Sequence, residues 1–420
     1  MTAWGFSTDP FANYVAEDEK ERLDRSFVAP NYFEDIVGEA DDPKPTFVFG
    51  SRGEGKSTLC HMVAQRLRSA DRPPLIVHAN DFSGWSADKI VEGLTLQDHM
   101  LRILVASAVA LVETLEDNHE PLSALSKRDR ALLVDIVARL LPLVDEGAHE
   151  HRLAILIDRA NGAGHIRRYT GFAVRWLSRF LRRKRFEFEG NELKDEHGSR
   201  LLTLLTVITQ ASPGTRGAAT PQAVFDAFLK LVRRLGFSSM YVLVDRIDEV
   251  DAVIDRPDLV ARLVAPLVRS VSFLGTDRLG IKLFLPLEAR AYLTGLRLDR
   301  IGWHEIEWDE HRLRSFLRKR IQAYSDGKCD TLEHVIEGYP DFERRVFRAS
   351  AGTPRNLLRI LDLIVSTHCD REDDSRVISR RDAEAGLKTF TEYRTQEGDR
   401  EIYEQRLVAW DLEHGSKDES

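Results

Sequence analysis

The sequence predicts an α/β fold: a parallel sheet flanked by helices, with a large helical insertion and a C-terminal helical lid. Three observations carry this. Short apolar, β-prone runs (Phe47-Val48-Phe49, Leu75–Asn80, Met240–Val244, Ile281–Leu285) alternate with stretches of helical period, as in βαβ units. The first run leads into a glycine-rich segment, Gly50-Ser51-Arg52-Gly53-Glu54-Gly55-Lys56-Ser57, that opens a helix. The third ends in Asp245-Arg246-Ile247-Asp248-Glu249, at the strand end where open α/β sheets gather their functional side chains.

Residues 1–45 read as a lead-in, with helical pattern over Asp18–Phe27, then Pro30, a second short segment at Tyr32–Val37 and a turn at Asp41-Asp42-Pro43-Lys44-Pro45. Residues 46–90 and 216–310 make the sheet core. Leu59–Ala64 continue the helix after the glycine-rich loop, and Pro73-Pro74 lead into the second strand. Residues 91–215 form the insertion, because Leu101–Leu115, Arg130–Leu143 and Phe172–Phe186 all have helical period. The polar run Ala211–Gly217 closes it. Thr220-Pro221 starts a helix over Ala223–Leu235, and Gly236 stops it before the third strand. A helix over Asp258–Val271 precedes the fourth strand, which Pro286 closes; His304–Trp308 is a short last strand. The lid, 311–395, comprises helices at His311–Tyr324, Phe342–Ala349, Asn356–Ser366 and Arg380–Arg394. Residues 396–420 read as a tail, frayed over Asp411–Ser420.

Composition narrows the class. Net charge is −8, so the chain as a whole is not a polyanion-binding coat, and any such binding needs a local patch. The three cysteines, Cys60, Cys329 and Cys369, lie far apart without metal-ligand spacing, which fits a reducing compartment. The N-terminus lacks a basic segment followed by an apolar run. The most apolar stretch, Met100–Val112, is too short to span a bilayer and carries Arg102. A cytoplasmic protein without membrane partners is expected.

Gly50-x-x-x-x-Gly55-Lys56-Ser57 has the P-loop, or Walker A, spacing, so the sheet core reads as a P-loop NTPase core. The chemistry needs this arrangement. Glycines let the backbone of residues 50–58, Ser51, Arg52, Glu54 and Thr58 included, turn tightly enough to aim successive N–H groups at one anion. The helix dipole adds to that field. Lys56 is placed for the β- and γ-phosphates and Ser57 for Mg²⁺. A strand ending in Asp245 is the matching Walker B pattern, supplying a carboxylate to the metal shell. Transfer to water also needs a group that orients the nucleophile; Glu249 is the first candidate and Asp248 the second. The competing reading makes Asp248, Glu249 and Asp251 caps of the following helix.

These motifs, across residues 20–90 and 220–395, resemble those of the STAND NTPases and the origin-recognition-type AAA+ ATPases, among them bacterial stand-alone ATPases. The resemblance implies an extra strand between the Walker A and Walker B strands. It also matches Gly352-Thr353-Pro354-Arg355 to the sensor 2 motif, in which Arg355 would contact the γ-phosphate from the lid. Arg297 and Arg300 stand where that family carries arginine fingers, which implies a homo-oligomer. The sensor 1 position, near Phe284-Leu285-Pro286, holds no Asn or Thr. Arg246 stands where many AAA+ proteins have a catalytic glutamate, which favours the STAND-like arrangement. By resemblance the chain is an ATPase, a phosphoanhydride hydrolase using ATP and Mg²⁺, in which nucleotide state drives lid movement, oligomerisation or partner engagement. The alternative is a nucleotide-binding scaffold of little turnover that recruits an effector protein or nucleic acid. Relatives of this kind often work with a second protein, in phage defence among other settings.

One patch stands apart. Between Asn161 and Phe186 there are eight basic residues and no acidic one, with Arg175, Arg179, Arg182 and Arg183 on or near one helical face. This is a candidate nucleic-acid or partner surface; the plainer reading is a solvated face balanced by Glu187, Glu189 and Glu192. His149 and His151 lack further ligands at metal spacing.

Overall fold

The structure, a computed structural model, describes residues 4–13, 19–82, 85–118, 121–122, 125–126, 128–129, 132–133, 221–293, 301–332, 335–336, 338–371, 376–396 and 400–414. Five strands form one sheet: β1 (Thr46–Phe49), β2 (Leu75–His78), β3 (Met240–Val244), β4 (Leu279–Leu285) and β5 (Gly302–Glu305), in the order β2-β3-β4-β1-β5. β2–β3 and β3–β4 are parallel, in register from Leu75 opposite Met240 to Val244 opposite Leu283. Every residue of β1, β3 and β4 is buried, and their largely apolar runs, interrupted in β4 by Lys282, are what parallel strands covered on both faces require. The expected α/β class is observed, and β4 lies between β1 and β3 as the resemblance implied.

Contacts divide the chain into two compact units. One comprises residues 35–47 and 63–303. Here α4 (Ala87–Glu92), α5 (Leu96–Asp117), α6 (Pro221–Arg234), α7 (Pro257–Arg269) and α8 (Val271–Leu274) accompany β2, β3 and β4. α5 opens on a capping box: the Thr95 hydroxyl accepts the Asp98 amide N–H, while the Asp98 carboxylate accepts the Thr95 N–H. Sequence reading assigned this helix to the insertion. Instead it packs on β2, α6 and α7, because Leu104, Ala108, Leu111 and Leu115 make one apolar stripe at helical spacing, all buried. The rest of the expected insertion, from residue 134, lies outside the described residues.

The other unit comprises residues 1–34, 48–62 and 304–420. Its core is helical, built by α9 (Glu310–Tyr324), α10 (Phe342–Ala349), α11 (Pro354–Cys369), α12 (Arg380–Gln396) and α13 (Arg400–His414). Two parts of the sequence reading change here. Trp4, Phe6 and Phe11 of the lead-in are buried in this helical core beside Leu361, Ile364 and Val365. Arg320 of α9 fixes the lead-in further: fully buried, it donates to the Pro10 and Asn13 carbonyls and to both carboxylate oxygens of Glu19, just before α1 (Lys20–Ser26). The expected tail contains a helix. α13 buries Tyr403 and Trp410, aromatics seven positions apart on one face, which gives its first turns an apolar seam to dock.

Candidate functional site

The glycine-rich loop connects β1 to α3 (Lys56–Arg68) and folds as its spacing requires. Gly53 (φ +88°) and Gly55 (φ +94°) occupy the left-handed region, which a side chain would strain. Lys56 is buried and curls back over the loop, its Nζ donating to the carbonyls of Gly50 at 2.9 Å and Ser51 at 3.4 Å. Ser57 and Thr58 are half-buried in the first turn of α3, and Arg52 is exposed. A lysine held at the mouth of a loop rich in backbone N–H groups is the donor set a polyphosphate needs.

Arg355 and Trp308 of the helical unit bond to backbone carbonyls of this loop. The Arg355 N–H, at the start of α11, donates to the Gly53 carbonyl at 3.3 Å. A Cβ on Gly53 would stand 2.9 Å from the Arg355 Cβ, so only glycine fits there. Pro354 is the N1 residue of α11 and Arg355 follows half-buried, so the residue that sequence resemblance picked out lies beside the glycine-rich loop. The second is Trp308, whose Nε1–H donates to the Glu54 carbonyl at 2.9 Å. The Ile306 N–H pairs with the Phe49 carbonyl at 2.8 Å, tying the chain after β5 to the end of β1.

Sequence reading gave Glu54 no role beyond the loop backbone. Its carboxylate is buried: one oxygen accepts the Ser51 N–H at 2.6 Å and the other pairs with Arg406 of α13. Burial pushes this carboxyl up from its ordinary range, against the pull of Arg406, the Ser51 N–H and Lys56.

The acidic cluster lies in the other unit. Asp245 follows β3 and is buried; its N–H donates to the Asn80 side-chain oxygen, just beyond β2, at 3.2 Å. Asn80 stood in the sequence only as a strand residue, and its place at a strand end next to β3 was its one signal. Arg246 takes a left-handed φ of 62°, turning the chain into a short 3₁₀ turn, Ile247–Glu249. That turn directs Glu249 to the surface, where its carboxylate pairs with the Arg246 guanidinium at 2.5 Å; Asp248 is half-buried. α7 begins only at Pro257, after Arg256, so Asp248, Glu249 and Asp251 do not cap it. β4 ends at Leu285 with every side chain buried. Arg297, Arg300, Arg175, Arg179, Arg182 and Arg183 lie outside the described residues. Among the described residues, no cluster of three or more His, Cys, Asp or Glu side chains could hold a metal, and no helix is long and apolar enough to cross a membrane.

A parallel sheet in this strand order, with a strand–glycine loop–helix unit at β1, defines the P-loop class of α/β proteins. Within that class, residues 9–72 match a family model described as ORC-CDC6-like, which takes in the lead-in, β1, the loop and α3. Among solved structures, the chain is similar to the Aeropyrum pernix ORC2 protein in its ADPNP–ADP complexes. The two are 12% identical, over 98% of this chain and 83% of that one, with a TM-score of 0.35. No curated protein matches the chain.

Proposed function

We propose that this chain is an ATP-binding and ATP-hydrolysing switch of the origin-recognition or STAND type, in which nucleotide state is coupled to movement of the lid, residues 311–395, and to oligomerisation or partner and nucleic-acid engagement. The observation that carries this reading is the loop itself: left-handed glycines at 53 and 55, a buried Lys56 aimed back over them, and Arg355 bonded to Gly53. Lys56 exchanges its bonds to the Gly50 and Ser51 carbonyls for phosphate oxygens, and the backbone of residues 50–58 cradles the rest. Ser57 and Asp245 are the residues assigned to hold Mg²⁺, which when bound screens the phosphate charge. Arg355, at the first turn of α11, reports an added γ-phosphate to the helical unit. Glu249 or Asp248 orients the attacking water. The match of residues 9–72 to an ORC-CDC6-like model supports the same reading.

One observation favours the alternative, a nucleotide-binding scaffold of little turnover. Glu249 is exposed and its carboxylate is held by Arg246, a pairing it must give up before it can orient a water. Equilibrium binding of labelled ATP and steady-state phosphate release separate the two. We expect Lys56→Ala to lose binding, and Glu249→Gln to retain it while turnover falls on the order of a hundredfold. Wild-type binding without phosphate release would establish the scaffold; equal binding by wild type and Lys56→Ala would refute both readings. A homo-oligomer, an effector protein and nucleic acid remain the partners proposed for the switch.

A further inference from the structure

The loop meant to receive a polyanion contains a carboxylate of its own. Glu54 lies two residues before Lys56, 6% exposed, with its Oε2 fixed by the Ser51 N–H. That N–H is one of the loop's own donors, and an uncompensated anion there would oppose an incoming phosphate. The compensation comes from the far end of the sequence. Arg406 reaches Glu54 Oε1 with its guanidinium, itself largely covered.

Arg406 is delivered by a helix built to hold it. Tyr403, Arg406 and Trp410 fall at i, i+3 and i+7, on one face of α13. The Tyr403 hydroxyl donates to the Ala349 carbonyl at 2.9 Å. Trp410 backs against Gly352, where a Cβ would lie 3.3 Å from its ring, on the turn that leads into Arg355. Arg348 of α10 grips Asp411 through two hydrogen bonds of 2.7 Å. One helix thus touches the phosphate loop at Glu54 and the turn before Arg355.

We propose that Arg406 is a positioning residue that neutralises Glu54, so that docking of the C-terminal helix α13 sets the affinity of the phosphate loop for a nucleoside triphosphate. The inference rests on the nucleotide-binding reading above. With Arg406 in place, the Glu54 charge is cancelled and Lys56 faces the phosphates unopposed. With Arg406 removed, Glu54 is an uncompensated anion at high pH and a neutral acid at low pH. Among the described residues, the groups facing Glu54 are Lys56 and the Ser51 N–H from the loop, Arg406 from α13, the Trp308 indole on its carbonyl, and Arg355 beside Gly53; Tyr32 feels its charge from farther off. None of these is a second carboxylate that could supply the same pH dependence.

The test is the affinity of the full chain for a fluorescent ATP analogue with Mg²⁺ from pH 6 to 8, in wild type, Arg406→Gln, Glu54→Gln and the double variant. Thermal melts establish that each variant is folded. Arg406→Gln should bind about tenfold more weakly than wild type at pH 8, and the loss should shrink as the pH falls, because burial favours the neutral form of the Glu54 carboxyl. The double variant should regain wild-type affinity and lose the pH dependence, since the amide oxygen introduced by Glu54→Gln can still accept the Ser51 N–H. Unchanged affinity in Arg406→Gln overturns the inference alone, and so does an equal loss in the double variant, which would mean mere packing. Failure of wild type to bind at all overturns the nucleotide reading and the inference with it.

Discussion

Lys282 sits at the centre of β4, fully buried, with its ammonium donating to the Thr46 hydroxyl at 3.0 Å and lying 5.4 Å from the Tyr241 ring. Among the described residues no carboxylate pairs with it to offset the cost of burying that charge, and burial pulls its pKa from 10.5 down to about 7. The sign follows from proton counting. Between pH 7 and 10.5 the unfolded chain holds a proton that the folded chain has released, so stability rises with pH across that window. Below about pH 7 both states are protonated and the full penalty of the buried charge applies. Lys282→Met should therefore raise the melting temperature at about pH 6 and flatten the rise between about pH 7 and 10, measured by thermal denaturation in a pH series. A melting curve whose pH profile matches wild type would show that Lys282 is not the group responsible. Glu54 makes the opposite case at the same scale: burial pushes its carboxyl up, and one guanidinium opposes that shift.

At the scale of elements, segments remote in sequence complete the helical unit. α9 contributes Leu313, Leu317 and Ile321 to the apolar core while Arg320, on the same helix, is committed to Glu19 and the lead-in carbonyls. Truncating one partner of such a buried pair leaves the other charge without compensation, which costs about 3–5 kcal/mol. Arg320→Ala should accordingly lower the unfolding free energy by that amount, read from the denaturation midpoint, and release residues 4–13 to proteolysis. A Glu19→Gln, Arg320→Met double variant should recover much of the loss. If the single variant unfolds at the wild-type midpoint, the lead-in is not held by this pair. The loop, β3 and the start of α11 were legible as local patterns: glycine spacing, an apolar run before an acid, and a proline at N1. Glu54 with Arg406, and Trp4 with the α11 core, were not legible, because 352 residues separate the first pair and periodicity carries no information about what a face meets.

For the whole molecule, a ligand that binds only the folded chain stabilises it by mass action. Mg²⁺ and ATP at about a hundred times the dissociation constant should add about 2.7 kcal/mol to the unfolding free energy of wild type, and nothing to Lys56→Ala. Differential scanning fluorimetry over a nucleotide series checks this, and an equal shift in both proteins would place the ligand elsewhere. The sequence by itself determined the α/β class, the glycine-rich loop with Lys56 and Ser57, the strand-end Asp245 and the proline-led helix carrying Arg355, because each depends on residues within a few positions of one another. Tertiary structure alone decided that helix 96–117 packs on β2 and that Glu249 turns outward to Arg246. It alone brought α13 to the glycine-rich loop. The physical reason is that strand order and helix docking are settled by which apolar surfaces cover one another across long sequence separations, and that choice is made only when the whole chain has collapsed.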